Sequence, residues 1–204
     1  MPKITDIAPY KGSTVKVELE DCEPLFLNSE VVYSANIKKG MDIPQAAVEQ
    51  LIHDNDLRKA RERGLYLMDY GDNTYVQLFG KLRRNYSEDI CYEVCDKLAE
   101  IGVINDRRYA ENLARRLVEV KLMGRYRAVN DMKQKGLPKS LIDEALEPYA
   151  DGYRERLRQL IEKKYMSKLD YEDRNRKVTA SLVRYGYSFD DIRAVLKEIE
   201  EEIG

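Results

Sequence analysis

Tryptophan is absent from this 204-residue chain, histidine occurs once and phenylalanine three times. The eleven glycines include no Gly-Lys-Ser/Thr phosphate loop and no GxGxxG turn, the two common nucleotide cradles. No stretch approaches ~18 uninterrupted apolar residues, so no membrane span is expected. The segment Met1-Pro2-Lys3-Ile4-Thr5-Asp6 lacks a basic flank followed by an apolar run, so no signal peptide is expected. Three cysteines without framework spacing fit a reducing, cytoplasmic setting. His53 stands in a polar helical segment with no accompanying Ser or Cys motif and reads as a surface residue rather than a base. Cys91 and Cys95 share a helix face but have no further ligand nearby, so they read as packing rather than as a zinc site. No catalytic, metal or cofactor-binding residue is expected, and the chain does not read as an enzyme.

Charge, by contrast, is plentiful. Charged residues make up 35% of the chain and hydrophobic residues 43%, with a mean hydropathy of -0.61. Helical units that each keep a wide solvated face accommodate that balance better than one sphere. The 15 tyrosines suit thin layers too, because a tyrosine buries its ring and keeps its hydroxyl wet. The net charge of -2 hides a gradient. Residues 1–72 carry nine Lys/Arg against thirteen Asp/Glu, whereas residues 107–135 carry nine basic residues against only Glu111, Glu119 and Asp131. A local excess of that size attracts a polyanion even when the whole chain is slightly acidic.

Comparison of the chain with itself shows a period of about fifty residues. The junctions Asn85-Tyr86-Ser87, Gly136-Leu137-Pro138 and Gly186-Tyr187-Ser188 are 51 and 50 residues apart. Asn or Gly tolerates the left-handed conformation that ends a helix; Ser then caps the next helix, and Pro suits its first turn. Apolar residues at helical spacing follow each junction: Ile90, Val94, Leu98 and Ile101; then Leu141, Ile142, Ala145 and Leu146; then Ile192, Val195, Leu196 and Ile199. Val129 and Met132 precede the second junction, and Val178, Leu182 and Tyr185 the third. A longer helix lies further upstream in each unit: around 56–69, then through Tyr109, Leu113, Leu117 and Val120, then through Leu157, Leu160, Ile161 and Tyr165.

The expected fold is therefore mainly α: three tandem three-helix, helix-turn-helix-like repeats in an elongated array, with a small N-terminal β-rich cap. Val15, Val17 and Leu19 alternate with Lys16, Glu18 and Glu20 as in a half-buried strand. Asp21-Cys22-Glu23-Pro24 reads as a turn, Leu25-Phe26-Leu27 as the returning strand, and Lys3 to Ile7 as a third. A short helix starting at Ser29 would end at Lys39-Gly40. The segmentation is 1–43 for the cap, 44–104 for a linker helix beginning near Pro44 and the first repeat, 105–150 for the second repeat and 151–204 for the third.

The basic segment supplies the candidate binding residues. With Tyr109, Leu113, Leu117 and Val120 toward the core, Arg108 and Arg115 fall on the solvent side. Arg125 and Arg127 open the next helix, where the dipole disfavours cations, and Lys133 and Lys135 close it, where the dipole favours them. Arg83 and Arg84, with Lys81, join the set from the first repeat. The third helices begin Ser87-Glu88-Asp89, Pro138-Lys139-Ser140 and Ser188-Phe189-Asp190-Asp191. Two acidic starts of three argue against sequence-specific reading of a DNA major groove.

The segment Leu98-Ala99-Glu100-Ile101-Gly102-Val103-Ile104-Asn105-Asp106-Arg107-Arg108-Tyr109-Ala110 resembles the signature of the RecX family. Gly124 with Met132-Lys133-Gln134-Lys135-Gly136-Leu137 is similar to that family's next element, and Tyr86-Ser87 and Gly186-Tyr187-Ser188 to its outer junctions. The resemblance runs from about residue 56 to 200, and the strand-like extension is similar to that of RecX proteins from Gram-positive bacteria. It implies a monomeric regulator, typically an inhibitor, that binds the filament of the recombinase RecA on DNA and modulates its ATPase and strand exchange in recombinational repair. It also implies contact with single- or double-stranded DNA in some members, and no cofactor or membrane. The first repeat departs from the family pattern at Leu67-Met68-Asp69-Tyr70-Gly71-Asp72-Asn73-Thr74, so no contact is carried over there. Two other readings stand beside it: a DNA-binding helical repeat without recombinase specificity, and a helical adaptor for another protein.

Overall fold

A computed structural model describes residues 2–166 and 172–203. Met1, residues 167–171 and Gly204, which the sequence places in the cap and the third repeat, lie outside the described residues. Three antiparallel strands, β1 (Ile4–Lys11), β2 (Thr14–Leu19) and β3 (Leu25–Asn28), form a sheet in the order β1-β2-β3. Ile7 pairs with Val17, and Val17 with Leu25. The alternation of β2 works as expected: Val17 and Leu19 are buried, while Lys16 and Glu18 form an ion pair of 2.7 Å.

Ten α-helices follow among the described residues: α1 (Ser29–Ser34), α2 (Gln45–Tyr70), α3 (Tyr75–Leu82), α4 (Glu88–Glu100), α5 (Asp106–Arg115), α6 (Arg125–Gln134), α7 (Lys139–Leu146), α8 (Tyr153–Lys164), α9 (Glu172–Arg184) and α10 (Phe189–Ile203). The short helix α1 ends at Ser34, earlier than the expected Lys39-Gly40, where Asn36 takes a φ of 51°. It starts at Ser29 as expected, and Asn28 caps it by accepting from the Glu30 backbone N–H. The linker and the first long helix of the first repeat are one continuous helix, α2, with Pro44 at its N-cap. Nothing in its 26 residues breaks a helix, and its apolar side serves two partners in turn. Val48 and Leu51 pack with Ile4, Val17, Leu27 and Val32 of the cap, whereas Gly64 lets Leu98 and Val94 of α4 come close. A Cβ at Gly64 would lie 3.1 Å from Leu98.

The chain forms two compact units. One holds the residues up to Gly71 together with Leu78–Val103; the other holds Asp72–Gln77 and the residues from Ile104 onward. No helix among the described residues is long and apolar enough to cross a membrane.

Two junctions form as expected and one does not. Gly136 (φ 80°) and Gly186 (φ 95°) are left-handed, and the next N–H bonds back five residues, Leu137 to Met132 and Tyr187 to Leu182. Asn85 is not left-handed; Asn85 and Tyr86 both donate to the Leu82 carbonyl, so the chain turns without that conformation. Ser87 sits at the N-cap of α4 with no side-chain bond, and Pro138 occupies the N-cap of α7 rather than its first turn. Ser188 does cap α10, its Oγ accepting from the Asp191 N–H at 3.1 Å. Of the expected core positions, Ile101 is 52% and Val120 73% exposed. Val120 turns outward because residues Arg116–Val120 form a π-helical turn, with the Lys121 N–H donating to the Arg116 carbonyl. Val118, which continues the stripe of Ala110, Ala114 and Leu117, is buried.

Candidate partner-binding surface

In the second unit, α5, α6 and α7 surround a core of Leu113, Leu117, Met132, Ile142 and Leu146, and α8, α9 and α10 surround one of Leu157, Leu160, Ile161, Leu182 and Ile192. These cores leave the charged faces outward. Asn105 caps α5 by accepting from the Arg108 N–H at 2.9 Å, which fixes where the arginines of that helix begin.

The same interlock occurs twice at positions fifty residues apart. Thr74, just before α3, donates from Oγ1 to the Lys135 carbonyl at 2.6 Å. Gly124, just before α6, donates its N–H to the Tyr185 carbonyl at 2.9 Å, and Tyr126 donates to Gly186. In each case the start of a second helix seats on the turn between the second and third helices of the following repeat. Both contacts leave no clearance: a Cβ on Gly136 would lie 2.6 Å from Val76, and one on Gly124 would lie 2.2 Å from the Gly186 oxygen. Thr74 and Gln77 also form a reciprocal capping box, each side chain accepting from the other residue's N–H at 3.2 Å.

Polar bonds join the successive helices further. Tyr187 donates its hydroxyl to the Leu122 carbonyl at 2.8 Å, and burial pushes its phenol well above the usual range. Arg156 donates to the Tyr149 and Asp151 carbonyls and lies 4.7 Å over the Tyr153 ring. The sequence does not signal Arg156: the carbonyls it serves belong to the last residue of a short 3-10 turn, Glu147–Tyr149, and to the loop after it.

The candidate basic residues divide by their surroundings. Arg125 pairs with Asp143 of α7 at 3.3 Å and Arg127 with Asp131 at 2.9 Å. Those carboxylates account for two cations that the helix dipole left unexplained. Arg108 and Arg115 lie on the exposed side of α5, two turns apart, and among the described residues neither they nor Lys133 enters an ion pair. Lys135 lies at the end of α6 with its carbonyl bound by Thr74. Arg83 and Arg84 belong to the first unit and are exposed; Arg83 reaches the Tyr86 carbonyl at 3.4 Å.

A concavity of 630 Å³ beside the π-helical turn is lined by Tyr109, Asn112, Arg115, Arg116, Glu119 and Val120, among others. Burial raises the Tyr109 phenol. Cations and carboxylates face this concavity together, a composition suited to docking. His53 lies 3.7 Å from Glu93, and no group of three or more His, Cys, Asp or Glu among the described residues could hold a metal ion. Cys91 and Cys95 are fully buried, and burial pushes the Cys95 thiol up to about 12.

Residues 105–146 match the family model of the second three-helix domain of RecX, and residues 151–196 that of the third. A regulatory protein RecX from Prosthecochloris aestuarii is 31% identical over 147 residues, covering 72% of this chain and 97% of its own length. One from Clostridioides difficile is 27% identical over 201 residues, covering 96% and 95%. The crystal structure of RecX from Lactobacillus salivarius matches 72% of this chain and 98% of its own with a TM-score of 0.63 at 27% identity.

Proposed function

Because the chain belongs to the RecX family of regulatory proteins, we propose that it binds the RecA filament on DNA and modulates its ATP hydrolysis and strand exchange by occupancy, without chemistry of its own. Family membership carries this reading. The seating of Gly124 and Tyr126 on the Tyr185–Gly186 turn supports it, because within the second unit it holds the exposed faces of the second and third repeats at a fixed interval, as a ligand of a periodic filament requires. Several weak patches at constant spacing gain from one another by effective concentration. Arg108, Arg115 and Lys133 are the cations offered to that contact. Arg125, Arg127 and Lys135 are offered as secondary contributors to it, and Arg83 and Arg84 as a separate set on the first unit.

The test is ATP hydrolysis by RecA on single-stranded DNA, titrated with this protein. The expected result is a saturable change in rate; an unaltered rate into the micromolar range refutes the proposal. A second reading, DNA binding without recombinase specificity, is favoured only by the basic excess in residues 107–135. Its mark is tight binding to bare DNA with a log–log salt slope of about -0.9 per phosphate contacted.

A further inference from the structure

A concavity of 920 Å³ lies within the first unit, and none of the candidate basic residues lines it. Helices α1 and α4 both pack on α2 and leave a stretch of it open between them. Val31 and Ala35 of α1, Leu57 and Leu65 of α2, and Val94 of α4 supply its apolar lining. Leu65 is 41% exposed although it sits in the middle of a fold element, so apolar surface is left open to water there.

The charges around this lining have one dominant sign. Six carboxylates, Glu30, Asp54, Glu62, Glu93, Asp96 and Glu100, line the groove against three cations, Arg58, Arg61 and Lys97. Two of those cations are already engaged: Arg58 bridges Glu30 and Glu62, and Lys97 bonds Glu100 at 2.8 Å. The groove therefore presents a negative field over an apolar bed. It repels nucleic acid and any acidic segment, and it favours an apolar stripe flanked by cations.

We propose that this groove is a docking site for a cationic amphipathic helix of a protein partner. Apolar side chains at i, i+3/i+4 and i+7 would seat on Val31, Leu57 and Leu65, and flanking Lys or Arg would meet the carboxylates of α2 and α4. The volume fits the apolar side of a few helical turns, and α1 and α4 flank the groove over a floor of α2. This surface is independent of the function proposed above and serves a partner of a different charge class from the basic face of the second unit.

The experiment uses the full chain and a fluorescently labelled peptide of about 18 leucines and lysines arranged as one apolar stripe, in buffer of about 0.15 M salt. Controls are a scrambled peptide of the same composition and a Leu/Glu counterpart. The expected result is saturable one-to-one binding of the striped cationic peptide, at least ~10-fold weaker for either control and for Leu65→Arg, which sets a cation into the groove. Methyl NMR signals of Val31 and Leu57 shift on binding. Equal affinity for the scrambled peptide, an unaffected Leu65→Arg, or shifts confined to other residues overturns the proposal. So does self-association of the unliganded protein that Leu65→Arg abolishes, because a second copy would then be the occupant. No recombinase is present, so these outcomes are distinct from failure of the filament assay.

Discussion

Gly124 and Gly186 meet backbone to backbone: the Gly124 N–H reaches the Tyr185 carbonyl at 2.9 Å, and a Cβ on Gly124 would fall 2.2 Å from the Gly186 oxygen. Backbone does not yield as a flexible side chain does. Gly124→Ala is expected to lower stability by about 2–3 kcal/mol, the upper part of the range for overpacking. Urea denaturation checks this; a loss below about 0.5 kcal/mol would mean that the contact opens at little cost.

The equivalent contact one repeat earlier allows a cleaner dissection. Gly136 is left-handed, and a Cβ there would lie 2.6 Å from Val76. Gly136→Ala and Gly136→Val should both lose about 1 kcal/mol or more from backbone strain alone, with a further loss from the collision. Combining Gly136→Ala with Val76→Ala should return the collision part and leave the strain. A double-mutant cycle with no coupling would show that the two residues do not touch in solution.

The start of α10 should carry a pH signature. The Asp191 carboxyl is held below its usual range first by the Ser188 hydroxyl, 2.6 Å away, and then by the Arg154 guanidinium at 2.8 Å. A folded pKa below the unfolded value adds stability that is complete above the unfolded value, about 3.9, and fades as pH falls through the folded one. Asp191→Asn should therefore cost about 1 kcal/mol at neutral pH and nothing at strongly acid pH. Equal destabilisation at both would assign the effect to the cap geometry instead.

Thiol reactivity should separate the three cysteines. Cys22 is exposed, Cys91 and Cys95 are buried, and all three are free. A thiol-specific disulfide reagent should titrate one group in the native protein and all three in denaturant. Two fast groups would place one of the buried pair at the surface.

Arg108→Glu combined with Arg115→Glu should leave the melting temperature unchanged and weaken filament binding by about 10-fold or more. If both residues meet phosphate, the log–log salt slope should also become shallower by roughly 2. Unaltered binding would move the contact to another face.

The parts of this fold that were legible in the sequence are those that one residue type decides locally. Gly136 and Gly186 announce their turns because few other residues tolerate the left-handed region, and the alternation of Val15, Val17 and Leu19 marks β2. Asn85 carries a weaker signal, and there the chain turns by ordinary bonds to Leu82. Val120 follows a regular helical stripe in sequence, but the π-helical turn depends on how the following residues return to the core. The partners of the cations were hidden for another reason. Arg125 and Asp143 are eighteen positions apart and face one another only once α6 and α7 pack. The buried amide of Asn55 is similar: its Oδ1 accepts from the Asn28 N–H at 2.9 Å across 27 positions.

The seat that Lys135 offers Thr74, and Tyr185 offers Gly124, has a corollary for how such a chain changes length. The second module is both a plug for the third and a socket for the segment that opens α3, so cutting after residue 150 would strand the N–H groups of Gly124 and Tyr126. Whole increments of about fifty residues keep plug and socket matched, because a duplication that copies both together heals its own seams, whereas a partial one leaves a ragged end.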